Sequence, residues 1–445
     1  MSIRSSPLKQ IARHNQLLRF SSNGQPLERS QVPFTLTVNG VNFTSSTVVV
    51  WNGTDLTTTQ VSSTELQAQI PASLIAVPNT VTVSVTPAET INYVATFTIT
   101  PTPLAGNTVT AVDIQANDMV WDPVSQQIYL SVSSSNGANG DTITALNPST
   151  GQLGISQNAG GEPDMLALAS DGSYLYAGIN GSASVQRFTL PGLGMDINIP
   201  LGASSIFGPY YAMDVEAAPG SPHTIAVVRG NTGVYPVEQC GVVIYDDAVA
   251  RPTSVPRYPN GPIDSIQWNG NATQIYGENN EDSGFDFYVM SVNSSGVQIT
   301  NDYRGVFNMF NAKLHYDATT GYVYNDGGQA VNPATGTVVG AFPTNTIQGG
   351  FVSGGVMVPD GTLNIAYFLG KPFGNNTSGE YLLEAFNLTN FTFIDAVPIP
   401  NVVGFPLKLI RWGTNGLAFL TGSDTGSPLP GTGVYIISGT FVTNP

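Results

Sequence analysis

The sequence predicts an all-β protein, a small β-sandwich followed by a seven-bladed β-propeller. Three observations predict it. Charged residues make up only 10% of the chain, while 48 glycines and 31 prolines supply turns. That is the composition of many short strands rather than of helices with charged faces. From residue 34 to about 101, apolar and hydroxyl residues alternate in short runs bounded by Gly, Pro and Asn, the pattern of half-buried antiparallel strands. After residue 106 a two-strand grammar recurs seven times at spacings of 44–51 residues, as propeller blades do.

The elements follow in order. Residues 1–30 hold five of the 14 basic residues (Arg4, Lys9, Arg13, Arg19 and Arg29) and one acid, Glu28. The remaining chain is strongly acidic, and the whole carries a net charge of −16. This opening reads as a basic disordered tail or as a start that is not the natural one. The second is favoured, for the reason given below, and any export signal would then lie upstream. Residues 31–101 form the first module. FTLTVNGVNF (34–43) sets Phe34, Leu36 and Val38 on one face, and STVVVWNGT (46–54), TELQAQIP (64–71), TVTVSVTP (80–87) and YVATFTITP (93–101) repeat the alternation. Asn52-Gly53 is a type I′ hairpin signal, since both central positions of that turn need positive φ.

Gly40 with Phe43, the WNG hairpin and the S-x-T-x-L-x-A-x-I-P stretch together resemble the TIG/IPT family of immunoglobulin-like domains. The resemblance implies an Ig-like sandwich that serves as a spacer or binding module. Members of the family usually open with a Pro-containing strand. Here NGQPLERSQVP takes its place, which is why the start reads as misplaced.

After the linker 102–106, the repeats begin at Asp118, Asp164, Asp214, Asp264, Asn311, Gly355 and Pro406. The last repeat ends at VYIISG (434–439) without a fourth strand, and NTVTAVDIQ (107–115) is one to spare. The propeller over 107–445 is therefore expected to close by pairing 107–115 with the C-terminal strand, which leaves no gap between first and last blades. The second-strand words IYLSV and LYAG are similar in architecture to the bacterial propellers with YVTN-type blades. That likeness implies a bacterial, exported protein.

Several functions are excluded or disfavoured. With 14 Lys and Arg in all, phosphate neutralisation is poorly served, and nucleic acid is not an expected partner. No apolar run is long enough to span a membrane. The histidines His14, His223 and His315 and the single Cys240 form no zinc spacing, and no nucleophile elbow or phosphate loop occurs. Cys240, just before an apolar strand, reads as a small core residue.

Asp118, Asp164, Asp214 and Asp264 stand at the same place in successive repeats. Two readings stay open. Each carboxylate caps its blade, or the four, extended by Asn311, ring one channel mouth and hold Ca²⁺ or a polar ligand. Tyr210 and Tyr211 are candidate glycan-stacking residues if they sit in a loop. The expected function is non-catalytic binding or scaffolding outside the cytoplasm (secreted, periplasmic or at the cell surface), with propeller loops holding a protein, peptide or carbohydrate. The alternative is a propeller enzyme of lyase or lactonase type acting at the channel mouth.

Overall fold

A computed structural model describes residues 3–4, 19–21, 34–75, 79–86, 95–99, 106–231, 238–256, 262–281, 283–344, 355–371, 381–423 and 431–445. The chain divides into two compact units, residues 1–105 with 395–398, and residues 106–394 with 399–445.

The first unit is a sandwich of two antiparallel sheets. One joins Val48–Trp51, Thr54–Asp55, Asn79–Thr86 and Ala95–Ile99, and the other joins Phe34–Asn39, Thr58–Ser62 and Glu65–Ile70. The alternation read from the sequence is the burial pattern: Leu36, Val38, Val49, Leu66, Ala68 and Val83 are fully buried between the sheets. Asn52 and Gly53 have φ of 50° and 85°, as the hairpin signal requires. The first thirty residues add an edge strand to each sheet. Ile3–Arg4 pairs with Ala95–Ile99, and Arg19–Ser21 pairs with Phe34–Asn39.

The second unit contains seven four-stranded antiparallel sheets among its described residues, six of them built from strands in chain order. Their first strands are Ala116–Asp122, Pro163–Leu168, Tyr211–Ala217, Ser265–Trp268, Leu314–Asp317, Gly355–Asp360 and Phe405–Trp412, taken here as sheets one to seven. Each first strand packs beside the first strand of the next sheet, and the seventh packs beside the first, so these strands line a closed ring. The seventh sheet borrows its fourth strand from the start of the unit. Asn107–Val112 pairs antiparallel with Val434–Gly439, from Asn107 opposite Gly439 to Val112 opposite Val434.

The core lies between neighbouring sheets. Ile128, Leu130 and Val132 of sheet one meet Ala418, Leu420 and Ile436 of sheet seven, and Tyr129 of sheet one meets Leu175 and Ala177 of sheet two. A four-stranded sheet cannot shield both faces by itself, and stacking in a ring covers each face with a neighbour. Full burial of each such valine, leucine or isoleucine contributes about 1.5–3 kcal/mol.

Connections differ between the two edges of the ring. The turns joining first to second and third to fourth strands are tight, for example residues 123–126, 148–151, 190–193, 318–321 and 413–415. The opposite edge mixes equally tight connections, at 159–162, 180–183 and 326–328, with the longest described ones, at 133–141, 201–210 and 304–313. Among the described residues no helix is long and apolar enough to cross a membrane.

Candidate functional site

The first strand of each sheet is an edge strand, so it has N–H groups with no ladder partner of their own. Side chains from the preceding sheet answer several of them. Asp118 Oδ2 accepts from the Leu166 N–H of sheet two at 2.8 Å, and Asp214 Oδ2 accepts from the Ile266 N–H of sheet four at 2.8 Å. Ser265 Oγ accepts from the Leu314 N–H at 3.1 Å, and Asp326 Oδ1 from the Met357 N–H at 2.9 Å. The other oxygen of each of the first two aspartates takes the next N–H of its own strand, Met119 at 2.7 Å and Val215 at 3.0 Å. Such charge-assisted bonds contribute about 1.5–3 kcal/mol apiece. Asp118 also receives the Lys408 ammonium of sheet seven, Nζ to Oδ1 at 2.6 Å, and so ties three sheets together.

The four aspartates do not share one offset. Val120, Ala167 and Gln267 lie opposite Tyr129, Tyr176 and Tyr276 of the second strands, and Glu216 lies opposite Ala226. Counted from there, Asp118 and Asp214 stand two residues back, whereas Asp164 and Asp264 stand three back. Lys313 and Lys408 occupy the two-back position in sheets five and seven, since His315 lies opposite Tyr324 and Ile410 opposite Ala418. Going round the ring, that position reads Asp118, Met165, Asp214, Ser265, Lys313, Val356, Lys408. The ring is thus of mixed charge, with acids in sheets one and three and ammonium groups in sheets five and seven.

Asp164 accepts from Asn180 Nδ2 at 2.9 Å, and burial pushes its carboxyl up to about 6. Asp264 Oδ2 accepts from the N–H groups of Asn280 at 2.8 Å and Glu281 at 3.1 Å, and burial pushes it up to about 7. Asn311 is exposed at φ 55°, and its N–H donates to Asn280 O at 3.2 Å in the loop entering sheet five. Among the described residues no three His, Cys, Asp or Glu side chains are placed to hold a metal ion. The cation seated on Asp118 is Lys408.

Tyr210 is half-buried, with the Arg229 guanidinium over its ring at 4.7 Å. Tyr211, also half-buried, opens the first strand of sheet three. Neither sits at the tip of the loop before it. That tip carries Ile206 and Phe207, 79% and 39% exposed, on a hairpin of Ala203–Ser204 with Gly208–Pro209.

Glu216, Glu278, Asp326, Lys313 and Lys408 were not evident from the repeat. Glu216 lies two residues after Asp214 on the same face of the strand. Burial, then the Asp214 charge, pushes its carboxyl up to about 8. Burial also raises Asp214 itself, and holds Glu278 well above the ordinary carboxylate range. Burial pulls the Lys313 ammonium down, but Asp214, Asp118, Asp264 and Asp164 outweigh it and leave it above its ordinary value. His315 Nε2 lies 2.9 Å from Asp326 Oδ1, and His223 Nδ1 lies 2.8 Å from Asp247 Oδ1, so both histidines are held in ion-pair geometry.

Residues 28–99 match the IPT/TIG domain family. No curated protein matches the chain. Among solved structures, Kuenenia stuttgartiensis hydrazine synthase is similar over 75% of this chain and 98% of its own, with TM-score 0.51 and 12% identity. The Cps50 (Swd1) β-propeller domain of Myceliophteria thermophila covers 74% of this chain and 99% of its own, with TM-score 0.51 and 10% identity. The Dos1 propeller covers 73% of this chain and 78% of its own, with TM-score 0.50 and 11% identity. At such identities the likeness is one of fold. An N-terminal TIG domain is followed by a β-propeller fold.

Proposed function

We propose that this chain is a non-catalytic binding protein of the cell exterior, whose seven blades present one loop-bearing face to a protein or glycan partner. The observation that carries the reading is the asymmetry of the disc. Tight turns close one edge, whereas the longer described connections, including the exposed Ile206–Phe207 tip, share the other. Loops on a rigid scaffold are where recognition is usually built. The inner-strand side chains support the same reading. Asp118, Asp214, Ser265 and Asp326 are engaged with backbone N–H groups of neighbouring sheets.

The test is a pair of measurements on the full chain. Immobilised protein is screened against glycan and peptide arrays. Saturable binding is expected, lost in an Ile206→Ser/Phe207→Ser variant whose melting temperature is unchanged. Turnover of a polysaccharide or lactone substrate, with no saturable ligand, would sink the reading. Protease treatment of intact source cells should remove the protein, and protection until lysis would overturn its exterior location.

A further inference from the structure

Two buried carboxylate oxygens between sheets four and five have no hydrogen-bond partner among the described residues, Asp264 Oδ1 and Glu278 Oε2. Their residues are 8% and 0% exposed. They are also neighbours, because the Asp264 N–H donates to Glu278 O at 2.8 Å. Glu278 reaches toward sheet five, where its Oε1 accepts from Asn325 Nδ2 at 3.1 Å. Asn280 Nδ2 donates to Ala312 O on the same side, so the loop after Glu278 also meets sheet five. A carboxylate oxygen buried without a donor is costly, and native structures leave few such atoms unmatched.

Acidic groups crowd this region, and burial raises Asp264 and Glu278 because no described cation sits directly on them. Lys313 alone is spread over Asp214, Asp118, Asp264 and Asp164. A hard metal ion would require about six to eight oxygens, and no metal-ligand group occurs among the described residues. A primary ammonium has three N–H donors on a slim tail and can be seated by few acceptors. The net charge of −16 attracts such a ligand at long range.

We propose that the seam between sheets four and five binds a primary ammonium group, seated on Asp264 Oδ1 and Glu278 Oε2. This deepens the binding role proposed above and rests on it, because it names the chemistry of one ligand. Two sources share that chemistry, a free diamine and the tip of a lysine side chain in a peptide.

The experiment is isothermal titration of the full chain with putrescine and, separately, with Nα-acetyl-lysine amide. Saturable binding of at least one is expected, and the tighter of the two identifies the source. Glu278→Gln and Asp264→Asn should each weaken it about tenfold or more, as loss of a charged hydrogen bond does. Lys313→Met should tighten it by removing the competing resident charge, and it serves as the test if the acid variants do not fold. Absence of binding by both amines would overturn the proposal. So would unchanged affinity in the acid variants, or in Lys313→Met. If the amines fail while the Ile206–Phe207 variant still loses its partner, the wider binding role stands.

Discussion

Replacing Lys408 by Met should destabilise the propeller through a carboxylate remote in sequence: Asp118 lies 290 residues away along the chain. The Asp118 side chain is 6% exposed and that of Lys408 37%. Removing one partner of a fully buried pair costs about 3–5 kcal/mol. Here Lys408 reaches solvent, and Asp118 keeps the N–H bonds from Met119 and Leu166, so the figure falls to about 2 kcal/mol. With about 2.1 cal/mol/K of unfolding entropy per residue, a unit of this size should lose about 3 °C in melting temperature. The assay is calorimetry of the parent, Lys408→Met, Asp118→Asn and the double variant. The double variant should recover about 1 kcal/mol or more relative to the sum of the singles, because the neutral amide no longer needs a cation. A Lys408→Met protein that melts with the parent, and a double variant with no coupling, would refute the reasoning.

Two further outcomes follow from the same geometry. Deleting residues 107–112 uncovers the edge of Val434–Gly439, whose Val434, Ile436 and Ile437 are buried; scanning calorimetry with light scattering should show a lower, broader transition and self-association, and an unchanged melt would mean that the ring does not depend on that strand. Glu216 is raised to about 8 by burial and by Asp214. A raised carboxyl holds its proton in the folded state that the unfolded chain releases, so its contribution to stability is best at or below the unfolded value and declines as pH rises toward 8. Glu216→Gln should therefore flatten the fall in stability between pH 5 and 8, gaining about 1–3 kcal/mol at pH 8, as read by urea melts across that range; a slope equal to the parent's would remove Glu216 from the account.

Strand positions were legible because the physics that places them is local. Alternation along 34–70 reports which side of a sheet is covered, and the unbroken IYLSV and LYAG words report strands covered on both. Closure was legible for a related reason, since a three-stranded last repeat and one unclaimed strand match only each other. The candidate site was less so. Asp118 and Asp164 look alike in sequence, but the register between first and second strands shifts, between Ala116 and Asp118 in sheet one and between Pro163 and Leu166 in sheet two. Asp118 lies past the first shift, paired with Ser131, whereas Asp164 falls within the second, and no side-chain type announces the difference. Lys313 and Lys408 were hidden because their repeats begin with Asn311 and Pro406, which masks their equivalence to Asp118. Glu278 lies on a second strand and Asp326 in the turn just after one, and their meaning depends on neighbouring sheets 47 and 31 residues away in sequence. The side chain of Cys240 lies outside the described residues, although the strand Glu238–Asp246 contains it.

The clasp between Asn107–Val112 and Val434–Gly439 also sets a timetable. Its two halves leave the ribosome some 330 residues apart, which at roughly 5–20 residues per second is tens of seconds. Throughout that interval the nascent arc has raw margins, and Val112 and Ile114 wait for Val434 and Ile436 to cover them. A translation product halted before Val434 never gains its last seam. It keeps an adhesive border, which makes the unfinished protein recognisable to chaperones and proteases by its shape alone.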